Sequence, residues 1–324
     1  MTLDAIVSAA TVLPGRVLHL RLRSRDGSPL PRFEPGAHVD VHLGTQLVRQ
    51  YSLCGDPEDD SEYQLAILLA EGSRGGSLAA HGSAAPGAPW TLGVPRNLFP
   101  LADGRSGAIL LAGGIGITPL LSMAWRLHRS GRPFRLHYAV RRRADAAFAD
   151  LLQGTPFADR VIIYADDDLA PLPRLDFAAA IGAPRADTHV YACGPSGFMA
   201  AAQAGAARLG WPAAHYHQEH FQAGPDDADA AEAAGDRPFT VCAARSGVTV
   251  EIPVGRSISD VLKGVGVTVW TSCEQGVCGT CLTPLLEGEA DHRDRYQTSA
   301  EMAAQTQVAL CCSRARSPTL VLDL

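Results

Sequence analysis

Cys273, Cys278 and Cys281, spaced C-x4-C-x2-C, and the later pair Cys311-Cys312 constrain this chain more than any other feature. Five of its eight cysteines fall in the last 52 residues, and clustering of this kind points to metal or redox chemistry before a disulfide framework. The spacing is that of a [2Fe–2S] site, in which four thiolates converge on two irons, three from one tight loop and one from a separate segment. Gly276 and Gly279 let such a loop turn closely, so that its N–H groups can reach the cluster sulfurs. Two readings compete. Buried thiols pack well as small hydrophobes, and zinc also takes cysteines, although C-x4-C-x2-C matches paired zinc ligands poorly. The fourth ligand is Cys311 or Cys312. Neighbours in a strand point to opposite faces, so only one can face the cluster, and spacing does not choose between them.

The rest of the chain is long enough for more than a cluster module. Its 324 residues suggest two or three domains at roughly 100–200 residues each. With 46% hydrophobic and 19% charged residues, long disorder is not expected. A net charge of −6 offers no overall attraction to nucleic acid or an anionic membrane. The longest apolar run, 108–121, is broken by glycines and falls short of the ~20 residues of a spanning helix. Asp4 and the lack of a basic stretch argue against a secretory signal. A cytoplasmic protein is the expectation. Lys263, the one lysine among 28 basic residues, reads as compositional bias.

Residues 223–236 hold five acidic residues, six alanines, Gly and Pro, with no large apolar side chain, and read as a linker. Before residue 101 the pattern has a period of two. Leu18, Leu20 and Leu22 alternate with His19, Arg21 and Arg23, and Val39, Val41 and Leu43 with Asp40 and His42, which predicts a small antiparallel barrel. From 108 onward, short apolar runs at 108–112, 134–140, 161–164 and 189–192 alternate with helical stretches, which predicts a parallel sheet covered on both faces. After the linker, 239–243 and 249–253 read as a hairpin and 257–265 as a helix.

Two further motif groups carry chemistry. Arg49-Gln50-Tyr51-Ser52-Leu53 offers a cation for a phosphate, a flat ring for a flavin and a hydroxyl for its N5. Glycines in the segment Glu71 to Ser77, ending Arg74-Gly75-Gly76-Ser77, free backbone N–H groups for an anion. Gly113-Gly114-Ile115-Gly116-Ile117-Thr118-Pro119 follows an apolar strand and precedes a helix, a place where a pyrophosphate can approach the backbone. It is not G-x-G-x-x-G. Cys193-Gly194-Pro195 follows a later strand. Arg141 to Arg143 and Asp166 to Asp168 each follow a strand; a carboxylate near the adenine ribose would favour NADH over NADPH. Histidines at 215, 217 and 220 invite a metal reading, but a strand end is preferred.

Taken together, these motifs resemble the phthalate dioxygenase reductase family, to which reductases of vanillate O-demethylase type belong, within the ferredoxin–NADP reductase superfamily. The resemblance rests on the Arg-x-Tyr-Ser and Arg-Gly-Gly-Ser signatures, on Pro95 to Leu101, on the glycine turn at 113–119 with Cys193-Gly194-Pro195, and on the cluster motif with Cys311-Cys312-Ser313-Arg314. It implies an FMN-binding β-barrel at 1–102, an NAD-binding α/β domain at 103–222, a linker at 223–236 and a β-grasp, plant-type ferredoxin domain at 237–324. It also maps the fourth ligand onto Cys311. Arg49 to Leu53 and Arg74 to Ser77 would hold FMN, and Phe221 would cover its ring. Gly113, Gly114, Gly116, Thr118, Pro119, Arg141, Gly194 and Pro195 would bind the dinucleotide. Ser52, Thr118 and Cys193 would line the reacting atoms.

A flavin can take electrons in pairs and release them singly, which suits it to stand between NADH and an iron–sulfur partner. The implied acceptor is the Rieske centre of a separate terminal oxygenase, docked transiently by a monomeric reductase, since this chain carries no Cys-His Rieske motif or 2-His-1-carboxylate site of its own. A cytochrome P450 or another monooxygenase is the alternative acceptor, and a redox-sensing module the alternative class.

Overall fold

A computed structural model describes residues 2–44, 47–70, 75–167, 174–221 and 236–324. Most of the linker, the loop residues Glu71 to Arg74 and Asp168 lie outside the described residues. The chain divides into two compact units, one running to His220 (Leu47 and Val48 excepted) and one that groups those two residues with Phe221 to Leu324.

The first unit opens with six strands: β1 Thr2–Leu13, β2 Val17–Ser24, β3 His38–His42, β4 Val48–Ser52, β5 Tyr63–Leu68 and β6 Pro89–Gly93. They form one sheet in the order β4-β3-β6-β1-β2-β5. Its two outer strands meet at a bridge between Leu53 and Leu65, which closes the sheet on itself as a barrel. Leu18, Leu20 and Leu22 point into the barrel with Val39 and Val41, as the alternation predicts. Each such side chain contributes roughly 1.5–3 kcal/mol on burial. Helix α1, Gly76–Gly82, follows β5.

The same unit continues into a second sheet of β7 Gly107–Gly113, β8 Phe134–Val140, β9 Val161–Ala165, β10 Thr188–Cys193 and β11 Tyr216–Glu219. The order is β11-β10-β7-β8-β9 and every pairing is parallel. Strand β7 is buried along its whole length, the signature of a strand covered on both faces. Helices α2 Ile117–Arg129, α3 Ala149–Gln153, α4 Phe177–Ile181 and α5 Ser196–Arg208 serve the crossovers. The barrel and this sheet therefore pack as one unit, although their sequence patterns differ. Part of the reason lies at Gly36 (φ +90), where a Cβ would stand 2.0 Å from Phe99 O, and the Gly36 amide donates to Ser122 Oγ of α2 at 3.0 Å. The segment Pro95 to Leu101 lies against the barrel there. Arg96 grips both oxygens of Asp40 at 2.8 Å, and Asn97 donates to Pro35 O.

The second unit carries β12 Phe239–Ala243, β13 Val248–Ile252, β14 Leu282–Glu287, β15 Ala290–Asp291, β16 Gln307–Ala309, β17 Arg314–Ala315 and β18 Thr319–Leu322. Five strands form a mixed sheet, β13-β12-β18-β14-β16, and β15 pairs with β17. Helix α6, Ile258–Gly264, begins where Ser257 Oγ accepts from the Asp260 amide, and α7, Ser299–Ala304, begins at a capping box of Thr298 and Glu301. Asp236, placed in the linker by composition, is tied into this unit by Arg293 (2.5 Å) and Arg314 (3.4 Å). Among the described residues no helix is long and apolar enough to cross a membrane.

Candidate functional site

The barrel seam brings the first set of site residues together. Arg49, Tyr51 and Ser52 lie on β4, and Leu53 closes the sheet one residue later. The Arg49 side chain runs across Gly76, where a Cβ would meet its Cγ at 2.5 Å and its Nε at 2.7 Å. Gly75, at φ +87, turns the chain into α1 at that point. The strand's guanidinium and the glycine turn thus form one cradle, and Ser77 Oγ beside it accepts from the Ala70 amide at 3.3 Å. Gln50 is half-buried. Burial pushes the Tyr51 phenol up to about 12, against the pull of Arg49, so its ring is a neutral face. Arg74 lies outside the described residues.

The second set gathers at the carboxyl ends of the parallel strands, where open α/β sheets bind their ligands. Gly113 ends β7, Val140 ends β8 just before exposed Arg141, Cys193 ends β10 and Glu219 ends β11. The two glycine motifs touch backbone to backbone. A Cβ on Gly116 would lie 2.2 Å from Cys193 O and 2.7 Å from Gly194 N, and one on Gly194 would lie 3.0 Å from Gly113 Cα. Pro195 Cδ stands 3.0 Å from the Cβ position of Gly113. Gly114, at φ +54, makes the turn itself. Pro119 and Thr118 sit buried in the first turn of α2, with Thr118 Oγ1 donating to Ile115 O at 3.0 Å. Arg142 is held by Asp145, Asp166 pairs with Arg174 at 3.7 Å, and Asp167 accepts from the Arg143 amide at 2.8 Å.

Glu219 joins the two sets, and the sequence reading missed it. It pairs with Cys193 across β10 and β11, and Ser52 of the barrel donates to its carboxylate. Its Oε2 is buried and has no hydrogen-bonding partner among the described residues. Burial pushes the Glu219 carboxyl up to about 8, opposed by the Ser52 hydrogen bond. Burial, and then the Glu219 charge, raise the Cys193 thiol well above its ordinary range. Cys193 is therefore a neutral packing group here and not a thiolate nucleophile. The histidine reading resolves into stacking: His215, His189, His217 and Tyr191 pile ring on ring at 4.5–5.2 Å. Phe221 is half-buried and belongs to the second unit.

In the second unit, the irregular stretch between α6 and β14 holds Cys273, Cys278 and Cys281. The thiols of Cys273 and Cys278, of Cys273 and Cys311, and of Cys281 and Cys311 lie within hydrogen-bonding reach. The Gln275 and Val277 amides donate to Cys273 Sγ, and the Cys273 amide to Cys278 Sγ, each at 3.4 Å. Gly276 (φ +75) and Gly279 (φ +70) make the turns; a Cβ on Gly279 would strike the Tyr296 ring at 2.5 Å. Four thiols from two segments, with amides already aimed at sulfur, are a donor set suited to a two-iron cluster. Cys311 and Cys312 lie in a turn after β16, not in a strand, because Ala309 O accepts from both the Cys312 and Ser313 amides. Cys311 lies within reach of Cys273 and Cys281 and also of Cys312, whose Sγ lies 2.7 Å from the Cβ position of Gly276 in the same loop.

A closed barrel and a parallel sheet that share a polar site, joined in one chain to a four-cysteine β-grasp unit, define an oxidoreductase with the flavin and [2Fe–2S] reductase fold. Comparison with known proteins agrees. Residues 240–316 match the 2Fe-2S iron-sulfur cluster binding domain. A vanillate O-demethylase oxidoreductase of Pseudomonas putida is 42% identical over 323 residues, 99% of this chain and 100% of that protein. The solved structure of phthalate dioxygenase reductase, described as modular for electron transfer from pyridine nucleotides to [2Fe–2S], matches with a TM-score of 0.74 at 38% identity, covering 100% of this chain and 98% of that one. An intact type IV self-sufficient cytochrome P450 monooxygenase matches with a TM-score of 0.79 at 35% identity, over 100% of this chain and 41% of that one. The chain belongs to the phthalate dioxygenase reductase family, together with the vanillate O-demethylase reductases.

Proposed function

We propose that this reductase carries electrons from NADH through FMN and the [2Fe–2S] cluster to the Rieske centre of a separate terminal oxygenase. The observation that carries the reading is the meeting of Ser52 with Glu219, the strand partner of Cys193, in a chain that also bears the cluster loop. When bound, the flavin supplies the conversion between paired and single electrons, and the cluster the single-electron exit. Arg49, with Gly75, Gly76 and Ser77, binds the flavin phosphate, and Tyr51 presents a flat face to its ring. Gly113, Gly114, Gly116 and Pro119 admit the dinucleotide backbone, with Arg141 on its phosphate side and Gly194-Pro195 beneath the nicotinamide. Thr118 and Cys193 pack against the nicotinamide and exclude water. Ser52 and Glu219 hold a proton between them at the place where the two rings would meet. Cys273, Cys278, Cys281 and Cys311 are the cluster ligands. The functional modules are residues 1–102, 103–222 and 237–324, with 223–236 between them.

Asp166 and Asp167 make NADH the preferred donor over NADPH, since a carboxylate beside the ribose repels a 2′-phosphate. A second acceptor, a cytochrome P450, is favoured by the likeness to the self-sufficient P450 chain. One experiment decides between them. The purified reductase is mixed with NADH and either a vanillate-demethylase-type Rieske oxygenase or a P450, and the acceptor's spectrum is followed. Reduction of the Rieske centre is expected; reduction of the P450 alone would replace this reading with the second.

A further inference from the structure

The amides that point at Cys273 depend on a backbone conformation that needs an external hold. Glu274, immediately after that ligand, sits at φ +55, in the left-handed region that side chains other than Gly rarely adopt. Among the described residues only Arg16 and Gln305 share this property without being Gly. Arg16 lies in the turn between β1 and β2, and Gln305 caps α7. Glu274 does neither. Its turn lets the Gln275 and Val277 amides converge on one sulfur, each at 3.4 Å. Its side chain reaches back to Thr271, whose Oγ1 donates to Glu274 Oε1 at 3.0 Å. Thr271 is buried and in turn accepts from Lys263 Nζ, on the last turn of α6. The same ammonium stands 3.7 Å from Glu274 Oε1, in a pair with each side chain about 30% exposed (28% and 30%). The one lysine of the chain is thus spent on the loop that holds the first cluster cysteine.

We propose that Lys263 is a positioning residue for the iron–sulfur site: acting through Thr271 and Glu274, it holds the amide donors on Cys273 and so keeps the reduction potential of the cluster high. The inference rests on reading this loop as the [2Fe–2S] site and is independent of which acceptor the reductase serves. Amides donated to sulfur favour the reduced, more negative cluster, and so does a nearby positive charge. Loss of the clamp removes both influences with one sign. A partly shielded ion pair also keeps more of its strength than an exposed one.

The test is an EPR-monitored redox titration of the full-length holoprotein and its variants, with iron content measured beside it. Lys263→Met should lower the reduction equilibrium constant of the cluster by roughly tenfold, a negative shift of about 59 mV for one electron. Lys263→Arg should restore most of it. Glu274→Gln should shift it less than Lys263→Met, because it loosens the same clamp but also removes a negative charge beside Cys273, which on its own raises the potential. The double variant should fall short of the sum of the two shifts, since both act through one clamp. Should Lys263→Met fail to retain its cluster, Thr271→Val keeps the side-chain volume and the charge pair, removes the hydroxyl link, and should still lower the potential. An unchanged potential in a fully loaded Lys263→Met or Thr271→Val protein would overturn the proposal, as would shifts that simply add. Absence of iron from the wild-type protein would instead remove the cluster reading itself.

Discussion

Glu219 is held where its protonated form is favoured, because burial outweighs the hydrogen bond from Ser52. A glutamate in the unfolded chain loses its proton near pH 4.5, and Glu219 in the fold does so at about 8. Between these values the folded protein carries the extra proton, so this residue costs stability as pH rises through the window. Glu219→Gln should therefore match the wild type in Tm below pH 4.5 and gain on it up to about pH 8. Each 1 kcal/mol of the difference is worth about 2–4 °C for a unit of this size. Parallel Tm profiles for the two proteins from pH 4.5 to 8.5 would show that the proton resides elsewhere. At the cluster, Cys273→Ser, Cys278→Ser, Cys281→Ser or Cys311→Ser should abolish or distort the visible and EPR signals, whereas Cys312→Ser should leave them intact; the reverse result for Cys311 and Cys312 would exchange their roles. The cysteines were legible because their spacing is itself the chemistry. Glu219 was not, since its partner Ser52 is distant in sequence, and only folding brings them together. The contacts of Lys263 with Thr271 and Glu274 were not legible for the same reason, since a count of residue types does not see them.

At the scale of elements, the glycine turns are where the fold and the candidate sites share atoms. Gly76→Ala would place a methyl on the Arg49 side chain and push the guanidinium out of the cradle. Its effect should approach that of Arg49→Ala, a loss of roughly 10–150-fold in FMN affinity with the fold retained, as one charge-assisted hydrogen bond is removed. Flavin retention on gel filtration reads this directly, and full retention in both variants would move the phosphate site elsewhere. Cys193→Ala should behave oppositely, keeping FMN while slowing flavin reduction by NADH in stopped flow. The strands themselves were readable from periodicity, because Leu18, Leu20 and Leu22 face one core and the run at 108–112 is buried on both sides. The turn at Cys311-Cys312 was not, because nothing in two adjacent cysteines announces that Ala309 O draws the following amides back upon itself.

At the scale of the whole molecule, the chain separates into a unit ending at His220 and another beginning at Phe221. The first contains the whole Ser52, Cys193 and Glu219 arrangement, and the second every cluster cysteine. A protein ending at residue 222 should therefore still reduce ferricyanide with NADH and should fail to support an oxygenase. A folded truncation that takes up FMN yet is not reduced by NADH would contradict this division of labour. The barrel seam has a consequence for how such a protein accumulates in a cell. On the function proposed above, the peptide that closes the sheet at Leu53 would also hold the flavin, so a chain whose barrel has not closed would have nowhere to put its pigment. Binding to the closed form alone draws the folding equilibrium forward in proportion to the free flavin present. Yellow colour per chain is then a direct gauge of conformational quality, and riboflavin supply becomes a lever on the yield of intact reductase.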